Sequence, residues 1–374
     1  MNERSNKRTS TILFWLAALF GLALLLFLPP WLFGLYTANT LERGIAAKGE
    51  PITLAELAAL HPAIPDELNA AIPLLQLWES EQGDYWARIL KGERVVSKTK
   101  RAPIDSKIPF LNPLSVRSAR PSGTNRLDPA VLAAAEKLLA ERQAHMRAVR
   151  DALQRPQFRF PLRFSDGASM LIPHLSELRI EASWFELEAL IATEHDDAKG
   201  AIAAIRSAAK IGQLLADEGL IVSQLDRIEI LNLNLESVER LLSRLALSSD
   251  ELLELNAVLE QSQIRGALRQ ALIGERVFAL SNLSDPRALA ERAEWAPNPK
   301  AEIGSKLPGG ALGTLATLTG DRRLILETYS KAIALSAMDQ PEDLAAFDQV
   351  FQEARSEVTH SLIPKPFSDR KSVV

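Results

Sequence analysis

The chain has 374 residues, 47% hydrophobic and only 6% aromatic, which suffices for one large or two medium domains and favours helix. Its 43 basic and 47 acidic residues leave a net charge of -4, so it carries no polyanion-binding signature and nucleic acid is not an expected partner. Without cysteine it has no disulfides, thiolate metal sites or cysteine nucleophiles.

Residues 12–36 contain no charged side chain. A bilayer span takes about 20 apolar residues, so this run predicts a transmembrane helix despite the Pro29-Pro30 break. Arg4, Lys7 and Arg8 lie in the preceding tail, 1–11, and the positive-inside rule keeps that tail in the cytoplasm and sends the rest of the chain across. The partner implied by 12–36 is therefore the lipid bilayer. The expected location is the cytoplasmic membrane, with the body on its periplasmic or extracytoplasmic side. A cleaved signal peptide is the alternative, but the apolar core is longer than such peptides use, and Tyr36-Thr37-Ala38 has no small residue at the first cleavage position.

Residues 37–96 read as a membrane-proximal helical segment. Thr53 to Glu56 forms a capping box that starts a helix at Leu54, and Pro62 ends it by His61. Pro65, followed by Asp66 and Glu67, predicts a second helix start. Asn69 beside Ala70 and Ala71 serves either packing or a ligand. Trp78, Tyr85 and Trp86 are the expected anchors. Residues 97–127 are rich in proline, with seven Lys or Arg against one acid over 97–126, and read as a loop or linker.

Residues 128–363 form the expected main helical domain. Asp128-Pro129 caps a helix that runs to Pro156, and Phe158 to Phe164 alternates as a short extended segment before the Ser165-Asp166-Gly167 turn. Helices follow from Leu175 to Glu194, from Asp197 to Asp217, and from Leu220 to Leu247. In the last, Ile221, Leu225, Ile228, Leu231, Leu235, Val238, Leu242 and Leu245 recur at helical spacing, and a second row through Ile230, Leu233 and Leu241 places the helix between neighbours. Ser248 to Glu251 caps a fourth helix, with a break at Gly266. The stretch 285–310 is a long loop, and helices over 312–337 and 341–360 finish the chain. The class is all-α: an N-terminal transmembrane helix followed by stacked antiparallel helical hairpins, as an irregular bundle or an α-solenoid-like stack.

Several stretches together carry a resemblance: Gly49 to Leu54 with Pro65 and Asn69-Ala70-Ala71, Phe160 to Gly167, Met170 to Ser176, Ser223-Gln224-Leu225, and Gly274-Glu275-Arg276. In these the chain resembles an uncharacterised family of bacterial single-pass membrane proteins with helical extracytoplasmic domains. The resemblance implies placement and fold and brings no activity. It also implies a further helix beyond the last residue here, so the reading frame is expected to be truncated. Residues 369–374, Asp-Arg-Lys-Ser-Val-Val, translate back to a short-read sequencing adapter and are expected to be an artefact.

Among the five histidines none has the spacing of a zinc helix, so no metal and no cofactor is expected. His195 with Glu194, Asp196 and Asp197 reads as helix capping. Asp166 and His174 flank a loop before a helix and are the catalytic candidates of an envelope hydrolase, although no activated-nucleophile motif accompanies them. Gln224 and Arg227, with Ser223, Asp226 and Glu229, interrupt an apolar helix and form either a buried network or a binding groove, with Asn69 as a further binding candidate. The leading expectation is a membrane-anchored binding or assembly scaffold without enzymatic activity, partnered by envelope proteins. The alternatives are the hydrolase and a component of a secretion apparatus.

Overall fold

Side-chain caps set four helix starts in the computed structural model, which describes residues 32–93, 125–284 without 263 and 265, 310–336 and 341–360, together with Trp15, Ala18 and Gly21. The tail 1–11, most of 12–36 and most of the linker 97–127 lie outside those residues, as do 361–374 with the suspected artefact. Among the described residues no helix is long and apolar enough to cross a membrane.

The helices are α1 (32–47), α2 (Leu54–Ala59), α3 (Ala71–Gln82), α4 (Tyr85–Leu90), α5 (Pro129–Ala152), α6 (His174–Glu194), α7 (Ala198–Leu214), α8 (Ile221–Arg244), α9 (Ser249–Gln261), α10 (Ala267–Ser284), α11 (Gly310–Ala334) and α12 (Pro341–His360). A short 3-10 turn spans Phe164–Ser169, and among the described residues there is no strand, only an isolated bridge between Asn69 and Gln157. The class is all-α.

At α2 the capping box forms as expected. Glu56 accepts from the Thr53 amide at 3.0 Å, and the Glu56 amide donates to the Thr53 hydroxyl at 3.2 Å. Asp128 caps α5 through the Ala130 amide at 2.8 Å, Asp197 caps α7 through Gly200 at 2.9 Å, and Ser248 with Glu251 forms a second capping box at α9. Gly266, at φ +77°, separates α9 from α10, a conformation that glycine reaches without steric cost.

No helix starts at Pro65. Residues 66–68 turn instead, and α3 begins at Ala71, because the chain there pairs with a distant segment. The Ala70 amide donates to the Gln157 carbonyl at 2.7 Å and the Gln157 amide to the Leu68 carbonyl at 3.1 Å. Those two bonds use backbone groups that a helix would need.

Two compact units result, Leu57–Gly274 and a second that joins residues up to Glu56 with those from Glu275 onward. In the first, α6, α7 and α8 pack on one another, α5 lies against α6, α9 against α7, and α3 against α4 and α5. Its core runs through Trp78, Trp86, Met146, Leu178, Phe185 and Ile211, with the Trp78 and Trp86 rings stacked at 5.2 Å. Gly274 admits α10 against the turn after α7, since a Cβ there would run into the Gly219 carbonyl oxygen. In the second unit, Ala38 and Ile45 of α1 meet Leu280 and Leu326, buried Arg276 donates to Glu50 at 2.9 Å, and α11 packs on α12.

On α8 the two apolar rows separate. Ile230, Leu233 and Leu241 are buried together with Ser223, Gln224, Arg227, Asn234 and Arg240. Leu225, Ile228, Leu235 and Leu242 face outward, 57%, 37%, 51% and 49% exposed. The longer predicted row is therefore split, with Val238 in the core and Leu225, Ile228, Leu235 and Leu242 outside it.

Candidate functional site

The sequence-predicted residues divide between sealed polar networks and the surface. His174, at the first turn of α6, is fully buried. Its Nε2 donates to Glu218 at 2.9 Å, and the Ser223 hydroxyl donates to the same carboxylate at 2.6 Å. Phe160 stacks on the imidazole at 4.0 Å. Burial pushes the Glu218 carboxyl up, but the charge and hydrogen bond of His174, the Ser223 hydroxyl and the charge of His61 outweigh it and hold the carboxyl below its ordinary value.

The order of this group is serine, carboxylate, imidazole, so the hydroxyl bonds the Glu218 carboxylate and not the imidazole that a serine nucleophile would need beside it. Asp166 stands elsewhere. Its carboxylate is 3.2 Å from Arg163 Nε and lines a cleft of about 10 Å³ with Ile89, Leu90, Phe160 and Leu171, room for a single water. No hydrogen bond joins Asp166 to His174, and the imidazole is shut off from any substrate.

Gln224 and Arg227 are brought together with this group. Gln224 Nε2 donates to the carbonyls of Leu215 at 2.8 Å and Glu218 at 2.6 Å, closing the end of α7. Arg227 donates to Gln224 Oε1 at 3.5 Å, and burial lowers its pKa against the pull of Asp217. Asp226 lies 3.5 Å from Arg179, and burial raises its carboxyl despite that arginine. Asn69 is a clasp: its side chain donates to the Arg159 carbonyl at 3.0 Å and accepts from the Arg159 and Ala71 amides at 2.9 and 3.0 Å. All three binding candidates are thus buried, and hydrogen bonds inside the fold hold Gln224 and Asn69.

Two further networks escape sequence reasoning. His145 of α5 donates from Nδ1 to Glu81 of α3 at 2.9 Å and from Nε2 to Glu181 of α6 at 2.8 Å, while Trp78 Nε1 donates to Glu181 at 2.9 Å. Burial pulls the imidazole down, but hydrogen bonds and charge from both carboxylates raise it to about 9, so the ring is a cation with both nitrogens protonated. The same contact with His145 lowers Glu81. At the end of α6, Glu194 is buried against Arg240, which also donates to the Asn125 carbonyl at 2.9 Å, with Arg244 at 3.7 Å. Of the acidic group around His195, only Asp197 caps a helix. His195 itself reaches Glu136.

Each network joins helices far apart in sequence, and no local motif announces such a partner. Among the described residues no group of three ligands is placed to hold a metal ion. No family model, curated protein or solved structure matches the chain.

What remains exposed and chemically distinctive is the outer face of α8. A helix normally turns its apolar stripe inward. Here five large aliphatic side chains, Val222, Leu225, Ile228, Leu235 and Leu242, are exposed along one helix.

Proposed function

We propose that the chain is a single-pass, membrane-anchored helical scaffold whose body lies on the extracytoplasmic side and whose working surface is the outer face of α8. Support for the anchor comes from the uncharged run 12–36 behind Arg4, Lys7 and Arg8, and from the exposed Leu32, Phe33 and Tyr36 at the start of α1, side chains suited to a membrane interface. The resemblance to single-pass membrane proteins points the same way. The observation that carries the scaffold reading is the outward row Leu225, Ile228, Leu235 and Leu242. The polar candidates His174, Gln224, Arg227 and Asn69, by contrast, are buried within the fold.

Two measurements test it. Protease added to intact spheroplasts should digest the helical body, and protection of that body overturns the topology. A photo-reactive phenylalanine in place of Asn232, half-buried beside the row, should give a discrete adduct with one protein in native membranes. Absence of any adduct overturns the scaffold reading.

A further inference from the structure

α1 starts inside the uncharged run, at residue 32, and continues unbroken to 47, well past the end of that run at Tyr36. No turn or loop therefore separates the proposed anchor from folded structure. On one side of α1, Ala38 and Ile45 are buried against Leu280 of α10 and Leu326 of α11, with Leu41 packed beside them. The end of the anchor is thus built into a core.

The opposite side is graded. Phe33, Tyr36, Thr40 and Arg43 are exposed and, at spacings of three and four residues, share one face of the helix. Along the chain that face passes from apolar ring to phenol, hydroxyl and cation, the order suited to a helix that crosses from hydrocarbon into headgroups. Thr37 and Thr40 donate their hydroxyls to the carbonyls of Phe33 and Tyr36, each at 2.8 Å. Donors spent on the helix's own carbonyls need no water.

Charge divides in the same way. The acids of this stretch turn to arginines of their own unit, Glu42 at 2.5 Å from Arg322 and Glu50 at 2.9 Å from Arg276. The cations Arg43 and Lys48 stay exposed. Distance then separates the two cations. A headgroup layer is about 5–7 Å thick, half the difference between the whole bilayer and its hydrocarbon core. With Tyr36 at the hydrocarbon edge, Thr40 stands about 6 Å and Arg43 about 10 Å farther out at 1.5 Å per residue. Side chains on a helix lean towards its N-terminus, and long cationic ones extend to place the head in polar surroundings, so the Arg43 guanidinium returns to the phosphate level. Lys48, past the end of the helix, remains in water.

We infer that Arg43 binds the phosphate of an outer-leaflet phospholipid, with Tyr36 at the hydrocarbon edge. The guanidinium donates charge-assisted hydrogen bonds to the phosphate oxygens and fixes the depth at which α1 leaves the bilayer. This rests on the single-pass reading above and names the lipid group that the chain holds there. The core around Ala38 and Ile45 is then tied to the membrane surface without a stalk.

The chain has no cysteine, so a single label can be placed at will. The full chain, in nanodiscs of phosphatidylcholine, carries bimane at Tyr36→Cys, Thr40→Cys, Arg43→Cys or Lys48→Cys. Lipid with a nitroxide on its headgroup should quench the labels at 36, 40 and 43, whereas the label at 48 should be quenched by aqueous iodide alone. Solid-state NMR recoupling between arginine Cζ and lipid phosphorus, in phosphate-free buffer, reads the contact itself. Arg43→Gln should remove part of that dephasing and leave the thermal transition unchanged, because the side chain is exposed.

Identical dephasing in Arg43→Gln and the parent chain overturns the inference, as does a label at 43 that behaves like the one at 48. Lipid quenching at 36 alongside either result leaves the anchor standing and removes only the phosphate contact. Loss of lipid quenching at 36, 40 and 43 together removes the anchor as well.

Discussion

Along α8 the inward face carries Ser223, Gln224, Arg227, Asn234 and Arg240, and the outward face carries Leu225, Ile228, Leu235 and Leu242. Judged by hydrophobicity alone, part of this helix is inside out. The inward groups are tolerated because most have partners, and a paired polar group in a dry interior loses little relative to water. The outward side chains gain less from folding, since Leu225, Leu235 and Leu242 each keep about half of their surface in solvent. The difference between the faces separates what stabilises the fold from what is left for a function.

The contrast breaks most visibly at Glu194 and Arg240. Glu194→Ala removes the buried carboxylate that Arg240 and Arg244 share, and should cost about 3–5 kcal/mol in urea unfolding, whereas Arg240→Ala should cost less because Arg244 still faces Glu194 at 3.7 Å. A smaller loss than 1 kcal/mol, of the order of an exposed ion pair, would mean that the inward polar face is not structural. Gln224→Ala should come next, at about 1–3 kcal/mol, since it strips a donor from the buried carbonyls of Leu215 and Glu218. If Gln224 instead served a ligand, stability would hardly move.

Asn234 sharpens the comparison from the other side. It is 1% exposed, and neither side-chain amide atom has a hydrogen-bond partner among the described residues. Asn234→Leu should therefore stabilise by about 1 kcal/mol in thermal unfolding. Destabilisation would show a partner that the apolar replacement cannot supply.

His145 provides the same test away from α8, through pH. Its folded pKa is raised from 6.5 to about 9. The cation is thus favoured by folding, and its contribution is fully present below pH 6.5 and is lost as pH rises through about 9. Glu81 is shifted downward, so its contribution is present above its ordinary value of 4.5 and fades as pH falls below that. The urea midpoint should decline from neutral pH towards pH 9, and His145→Gln should flatten that decline. A slope identical in the variant would assign it to another group.

The smallest expected effect lies on the outward face. Leu225→Ala or Leu235→Ala should change stability by less than about 0.5 kcal/mol, while reducing any adduct formed from position 232. A large loss of stability would mean that these leucines are core residues after all.

Local chemistry made much of the fold legible. Thr53, Asp128, Asp197 and Ser248 begin helices in both the sequence reading and the structure, because a cap acts on amides two or three residues away. Gly266 marks the break ahead of α10 for an equally local reason. Pro65 misled because the bonds that govern it come from Gln157, and Asn69 could be recognised as a backbone-serving residue without its true partner, Arg159, being visible.

The candidate site was less legible. Gln224 and Arg227 stood out as polar residues in an apolar helix, and the structure buries them in a network. His174 was singled out as a base, yet Glu218 claims it across 44 residues of chain, and Glu181 claims His145 across 36.

What the amino-acid order determined by itself is therefore the set of helices and the uncharged run ahead of them, since helix caps, glycine breaks and hydrophobic length are short-range properties. Only the tertiary structure decided which side of α8 faces the core. Apolar residues cover more than one stripe of that helix, so periodicity permits several orientations. The choice falls to packing around Ile230, Leu233 and Leu241 and to the hydrogen bonds that Ser223, Gln224 and Arg240 find only when turned inward.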